Sequence, residues 1–138
     1  MGSPRVNLLL DTHVWVWSHT EPERLTKRVT AAVTDRVNAL WLSPISVWEF
    51  LLLVQHGRLR LRAGLHPRDW VEAALSRVPM HDAAVTREVA LLSRFVRVEH
   101  EDPADRFLAA TAEVYELTLV TADERLLRGK GFRTLANR

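Results

Sequence analysis

Val6-Asn7-Leu8-Leu9-Leu10-Asp11 is the stretch that decides the fold. Three consecutive leucines leave no polar face, so the run reads as a strand buried on both sides, as in parallel sheets covered by helices. It ends abruptly at Asp11. Ala39-Leu40-Trp41-Leu42, closed by Ser43-Pro44, and Leu117-Thr118-Leu119-Val120 repeat the pattern, and Phe132 to Leu135 supplies a last strand. Val78-Pro79-Met80 suits a short edge strand, because its proline lacks a donor for an interior ladder. Between these runs the spacing changes to that of helices. Leu25, Val29, Ala32, Val33 and Val37 mark a helix over 25–37, and 47–54 is a helix apolar almost all round, stopped at Gly57. Further helices are predicted from His66-Pro67 through Ser76, within the amphipathic stretch 83–95, from Pro103 to about Glu116, and over 122–128. Strands alternating with helices predict an α/β fold: a three-layer α/β/α sandwich around a central, mostly parallel sheet of about five strands, one domain over 1–138.

The rest of the composition narrows the function. The chain has 138 residues, 47% of them hydrophobic and 26% charged, which excludes a disordered or fibrous protein. There is no cysteine, so disulfide scaffolds, thiolate zinc sites and cysteine nucleophiles are excluded together. No apolar run reaches the roughly 18 residues of a membrane span. Met1–Arg5 lacks the apolar centre of a signal peptide and is given no weight, so a soluble cytoplasmic protein is expected. Net charge is only +2, but 17 of the 19 basic residues are arginine, which suits bidentate phosphate contacts.

Four acids stand out by position: Asp11 after the first strand, Glu49 after the second, Asp105 in the first turn of the 103–116 helix, and Asp123 after Val120. In a parallel sheet these strand ends face one crevice. Each also has a local reading. Ser46-Val47-Trp48-Glu49 fits a capping box with Ile45 and Phe50 as its staple, and Thr121-Ala122-Asp123-Glu124 fits a second. Asp102-Pro103-Ala104-Asp105 fits an N-cap, a proline at the first helical position and an acid favoured by the helix dipole. Asp11 is the sole charge between Val6 and Ser18, and Glu49 the sole charge between Ser43 and Gln55. Carboxylates in such surroundings must be protonated, paired or bound to a cation. Without cysteine or a close histidine pair, an all-oxygen set favours Mg²⁺, with Mn²⁺ as substitute, over Zn²⁺. The six histidines read as surface or capping residues. Rival chemistries fit poorly: Asp11-Thr12-His13 lacks the second Asp of a haloacid-dehalogenase phosphatase, the five glycines are scattered, and no nucleophile elbow is present.

With those residues in view, the chain resembles the PIN-domain ribonucleases, and among them the VapC-type toxins of toxin–antitoxin pairs. The resemblance runs from Leu8 to Leu135 and is carried by Leu-Leu-Leu-Asp11-Thr12-His13-Val-Trp, Ser46-Val47-Trp48-Glu49, His100-Glu-Asp102-Pro-Ala-Asp105-Arg106-Phe-Leu-Ala-Ala-Thr-Ala and Leu-Val-Thr121-Ala-Asp123. It implies a PIN-like sandwich in which Asp11, Glu49, Asp105 and Asp123 are the catalytic acids of an endoribonuclease. Asp11 and Asp105 are then the direct metal ligands, with Thr12, Ser46 and Thr121 orienting the carboxylates. Asp102 either joins the site or serves only as the N-cap. The implied reaction is hydrolysis of an RNA phosphodiester by Mg²⁺-activated water, leaving a 5′-phosphate and a 3′-hydroxyl.

Arg58-Leu59-Arg60-Leu61-Arg62, continuing to Arg68, holds four arginines and no acid. It reads either as a solvated connection or as a phosphate-binding rim beside the acids. The five tryptophans read as core or interface residues. The resemblance further implies a homodimer and a cognate antitoxin. Two other readings compete: a non-catalytic protein-binding module whose acids are helix caps, and a metal-dependent DNA nuclease.

Overall fold

The computed structural model describes residues 5–138; Met1–Pro4 lie outside it. β1 (Asn7–Leu10), β2 (Ala39–Leu42), β3 (His81–Asp82), β4 (Thr118–Thr121) and β5 (Arg133–Ala136) form one sheet in the order β3-β2-β1-β4-β5. Every pairing is parallel, so the expected mostly parallel sheet is parallel throughout. β1 lies at the centre, with Leu9 in register with Trp41 of β2 and Leu119 of β4. That place explains its leucines. Leu8 and Leu10 enter one core with Val14, Trp15, Phe50 and Trp70, while Leu9 enters a second with Val96, Leu108, Ala109 and Leu126. Alternate side chains of a strand face opposite ways, so three leucines in a row serve two helical layers.

The helices are α1 (Thr12–Thr20), α2 (Lys27–Thr34), α3 (Pro44–Gln55), α4 (Pro67–Arg77), α5 (Arg87–Leu92), α6 (Pro103–Tyr115) and α7 (Glu124–Leu127). α1 to α4 contribute to the first core, and α5 to α7 to the second. The sandwich therefore has the expected three layers. Among the described residues no helix is long and apolar enough to cross a membrane.

Four local expectations differ from the structure. The periodicity over 11–24 gave no sign of α1, whose Thr, Val and Trp content is poor in helix formers and whose inward face is fixed by packing on the sheet. α3 begins at Pro44 with Ser43 as its N-cap, the Ser43 hydroxyl accepting from the Ile45 amide at 3.0 Å. Pro44 is pre-set for the first helical position and lacks an N–H to satisfy, so the helix starts one turn before the Ser46–Glu49 capping box, which does not form. The second box fails in the same way, because Asp123 caps α7 by accepting from the Arg125 amide at 2.9 Å. Val78-Pro79-Met80 is not a strand; the edge pairing falls on His81 and Asp82, beyond the proline that cannot donate.

Candidate active site

The chain order reverses direction across the sheet between β1 and β4, and at their carboxyl ends a cleft opens. It is lined by Asp11, His13 and Trp17 from β1–α1, Glu49 and Leu53 from α3, and Arg58 just after α3. Asp102 and Asp105 at the start of α6, and Ala122, Asp123 and Arg125 at the start of α7, complete it. All four acids singled out in the sequence thus share one cleft of about 450 Å³.

Asp11 is held most tightly. It is 7% exposed and stands at the N-cap of α1 without making a side-chain cap bond. Its amide donates to the Val120 carbonyl at 3.0 Å, tying it to β4. The Thr121 hydroxyl donates to Asp11 Oδ2 at 2.6 Å and accepts from the Asp123 amide at 3.0 Å. One hydroxyl therefore fixes two of the four acids. Thr121 has the expected orienting role, whereas the buried Thr12 and Ser46 hydroxyls have no hydrogen-bond partner.

Charge is concentrated here, and of the four acids only Asp123 has an arginine partner, Arg125 at 3.5 Å. Burial raises Asp11 above the usual carboxylate range, opposed by the Thr121 bond and His13, with Asp123 pushing it further up. Burial also raises Glu49, and Asp11 and Asp102 add to the shift. His13 and the nearby Thr12 hydroxyl oppose it, though that hydroxyl stands outside good hydrogen-bonding geometry. Asp105, 8% exposed, is pushed up to about 8, first by burial and then by Asp11, Asp102, Asp123 and Glu49. Asp123 goes the other way: burial works to raise it, but the Arg125 amide and guanidinium and His100 hold it below the usual range. Among the described residues no Lys or Arg forms an ion pair with Asp11, Glu49 or Asp105.

His100, which sequence reasoning passed over, lies beside two of these acids. Its ring is 11% exposed, with Nε2 at 3.3 Å from Asp105 Oδ2. His100, Asp105 and Asp123 each offer a donor atom, and these atoms lie within 4.8 Å of one another. Its place two residues before the Asp102 cap, in the stretch that carried the resemblance, was the available signal.

Arg106 positions this histidine. The guanidinium is buried and donates to four carbonyls, Ser93 and Val98 at 2.8 and 2.9 Å and Val96 and His100 at 3.2 Å. The 93–100 segment thus wraps around one cation that is continuous in sequence with Asp105.

The donor set suits a metal ion. Buried carboxylates that resist ionisation and lack an arginine or lysine partner stand beside hydroxyls and ring nitrogens without partners. An acidic group that could hold a cation is therefore present. Of the remaining sequence candidates, Asp102 is the exposed N-cap of α6, accepting from the Asp105 amide at 3.2 Å, while also lining the cleft. Arg58 lines the cleft, whereas Arg60 and Arg62 are exposed outside its lining. Trp15 and Trp70 are buried, but Trp17 lines the cleft and Trp48 is half exposed on α3.

The PIN domain family model matches residues 8–131. The chain is 32% identical over 122 residues to Ribonuclease VapC22 of Mycobacterium tuberculosis, covering 86% of this chain and 88% of that protein. Among solved structures it is similar to VapBC2 of Rickettsia felis, bound to a DNA fragment from its promoter. That match has a TM-score of 0.70 at 16% identity, over 95% of this chain and 98% of that one. It is also similar to DNA-bound VapBC of Salmonella typhimurium, with a TM-score of 0.64 at 20% identity over the same shares of the two chains. These structural likenesses bear on the fold. With the 8–131 match and the relative that spans most of its length, the chain belongs to the PIN domain family.

Proposed function

We propose that this chain is a divalent-metal-dependent endoribonuclease and the toxin of a toxin–antitoxin pair, acting in the cytoplasm. The observation that carries the reading is the capping pattern. Asp102 and Asp123 cap helices, but Asp11 makes no side-chain cap bond, and Ser43 and Asp102 supply the caps of the helices that hold Glu49 and Asp105. Three buried or half-buried acids therefore have no capping task, which a module using its acids only as caps leaves unexplained. The ribonuclease name of the M. tuberculosis relative supports RNA as substrate.

In this reading Asp11, Glu49, Asp105 and Asp123 hold the metal, Mg²⁺ or Mn²⁺, with Asp11 and Asp105 as direct ligands and Glu49 and Asp123 completing the cage directly or through water. When bound, the cation lowers the pKa of water and neutralises charge on the scissile phosphate. The protein does the positioning. Thr121 keeps Asp11 aimed into the cleft and Asp123 beside it, and Arg58 and Arg125 at the cleft wall can hold flanking phosphates. The test is digestion of matched single-stranded RNA and DNA with Mg²⁺ or with EDTA. We expect RNA cleavage that leaves a 5′-phosphate, stops with EDTA and is lost in Asp11→Asn while the fold persists. Asp11→Asn retaining full activity would overturn this reading, and preferential DNA cutting would replace it with a DNA nuclease.

Arg58→Ala is expected to weaken RNA binding and reduce the slope of log K against log [salt] by about 0.7 for each phosphate that the arginine no longer neutralises. Fluorescence anisotropy across a salt series measures this, with Arg60→Ala as the variant expected to change little. The antitoxin belongs to the same reading, supported by the toxin–antitoxin complexes that share the fold, and a homodimer is proposed with it. The exposed Trp48 and Leu51 of α3, Leu91 of α5 and Phe95 just beyond it offer apolar surface for such partners.

A further inference from the structure

We propose that His100 is a nitrogen ligand of the cation held by Asp105 and Asp123, so that the site takes Mn²⁺ in preference to Mg²⁺. The proposal rests on the metal-site reading above and sharpens it, since the sequence suggested oxygen ligands alone. Its grounds are geometric. The three donor atoms lie within 4.8 Å of one another, a separation one ion can bridge. Both ring nitrogens of His100 are buried, and neither has a hydrogen-bond partner. Nε2 is near Asp105 Oδ2 but too poorly aligned for a hydrogen bond. A histidine that only filled space would be expected to satisfy at least one buried nitrogen.

The backbone also holds this ring in place. Arg106 takes the carbonyls of Val98 and His100 on one nitrogen, so the loop carrying the ring is tied to α6. Asp105 precedes that arginine, so one short stretch of helix anchors both the carboxylate and the imidazole. Mixed nitrogen and oxygen donors shift selectivity toward transition ions, because Mg²⁺ demands oxygen and gains little from imidazole.

The test uses the full chain stripped of metal. Mn²⁺ and Mg²⁺ affinities are measured by calorimetry, and bound Mn²⁺ is examined by electron spin-echo envelope modulation for coupled ¹⁴N. We expect nitrogen modulation in the wild type and in His13→Gln, and its loss in His100→Gln. His100→Gln should also weaken Mn²⁺ binding by about tenfold or more and Mg²⁺ binding by less than about threefold. Circular dichroism confirms that the variants are folded. If Mn²⁺ binds and Asp105→Asn abolishes binding, while His100→Gln leaves spectrum and affinity unchanged, His100 is not a ligand and the metal-site reading stands. If the folded wild type binds neither ion, both readings fall.

Discussion

Asp105→Asn is expected to lower RNA cleavage by at least about 1,000-fold, equivalent to about 4 kcal/mol of lost transition-state stabilisation, while making the metal-free protein more stable above neutral pH. The stability gain follows from the direction of the Asp105 shift. Its carboxyl titrates near 8 in the folded protein and near 3.8 when unfolded, so between these values the folded state holds a proton that the unfolded state has released. Unfolding then releases a proton, and stability falls as pH rises from about 4 to about 8. Asp11 and Glu49, also raised, add to the same slope. Asp123 is lowered and contributes the opposite slope only in acid, as pH falls through its folded value. Asn carries no charge to bury, so the variant should lack the Asp105 share of the slope and regain on the order of a few kcal/mol at pH 8. Thermal melts at pH 5 and pH 8 measure this, with EDTA and with added Mg²⁺. Mg²⁺ should raise the wild-type midpoint at pH 8 and leave the variant unmoved. A variant with the wild-type slope, or one that still cleaves RNA at a tenth of the wild-type rate, would contradict the account of Asp105.

The second large effect is structural. Arg106→Ala is expected to lower folding stability by about 3–5 kcal/mol, because it strands four carbonyls that now share one guanidinium. Arg106→Lys should recover only part of this, since an ammonium cannot reach all four oxygens in the planar fork that Arg provides. Urea denaturation gives the magnitudes. The local consequence separates Arg106 from an ordinary core residue. In Arg106→Lys, amide exchange should accelerate over 93–101 while β1 and β4 remain protected. Uniform loss of protection would show that the arginine supports the whole second core rather than the loop carrying His100.

Some of the site could be read directly from residue order. Leu8-Leu9-Leu10 demanded burial on both faces, and the abrupt Asp11 marked the end of a central strand at the sheet edge where sites form. Asp102-Pro103 announced the start of α6, and the observed cap bond is the one expected. Those features are local, set by period, caps and proline geometry over a few residues. α1 was illegible because its helical state depends on packing against the sheet rather than on its own composition. Ser43 and Ser46 competed for one cap within four residues, and the proline between them settled it.

By itself the sequence determined the α/β alternation and the four acids at strand and helix starts, because burial on two faces and isolated charges in apolar runs are written in residue order. Only the tertiary structure decided how those acids differ. Asp105 is pushed up to about 8 because burial is joined by four other carboxylates that face it. Asp123 stayed ionised beside Arg125, and Thr121, which read as a helix cap, instead joined Asp11 to Asp123 across 110 residues of chain. His100 came to lie beside Asp105 and Asp123 because Arg106 gathers the carbonyls of the preceding loop. Such effects depend on distance and desolvation between segments remote in sequence, and no spacing along the chain encodes them.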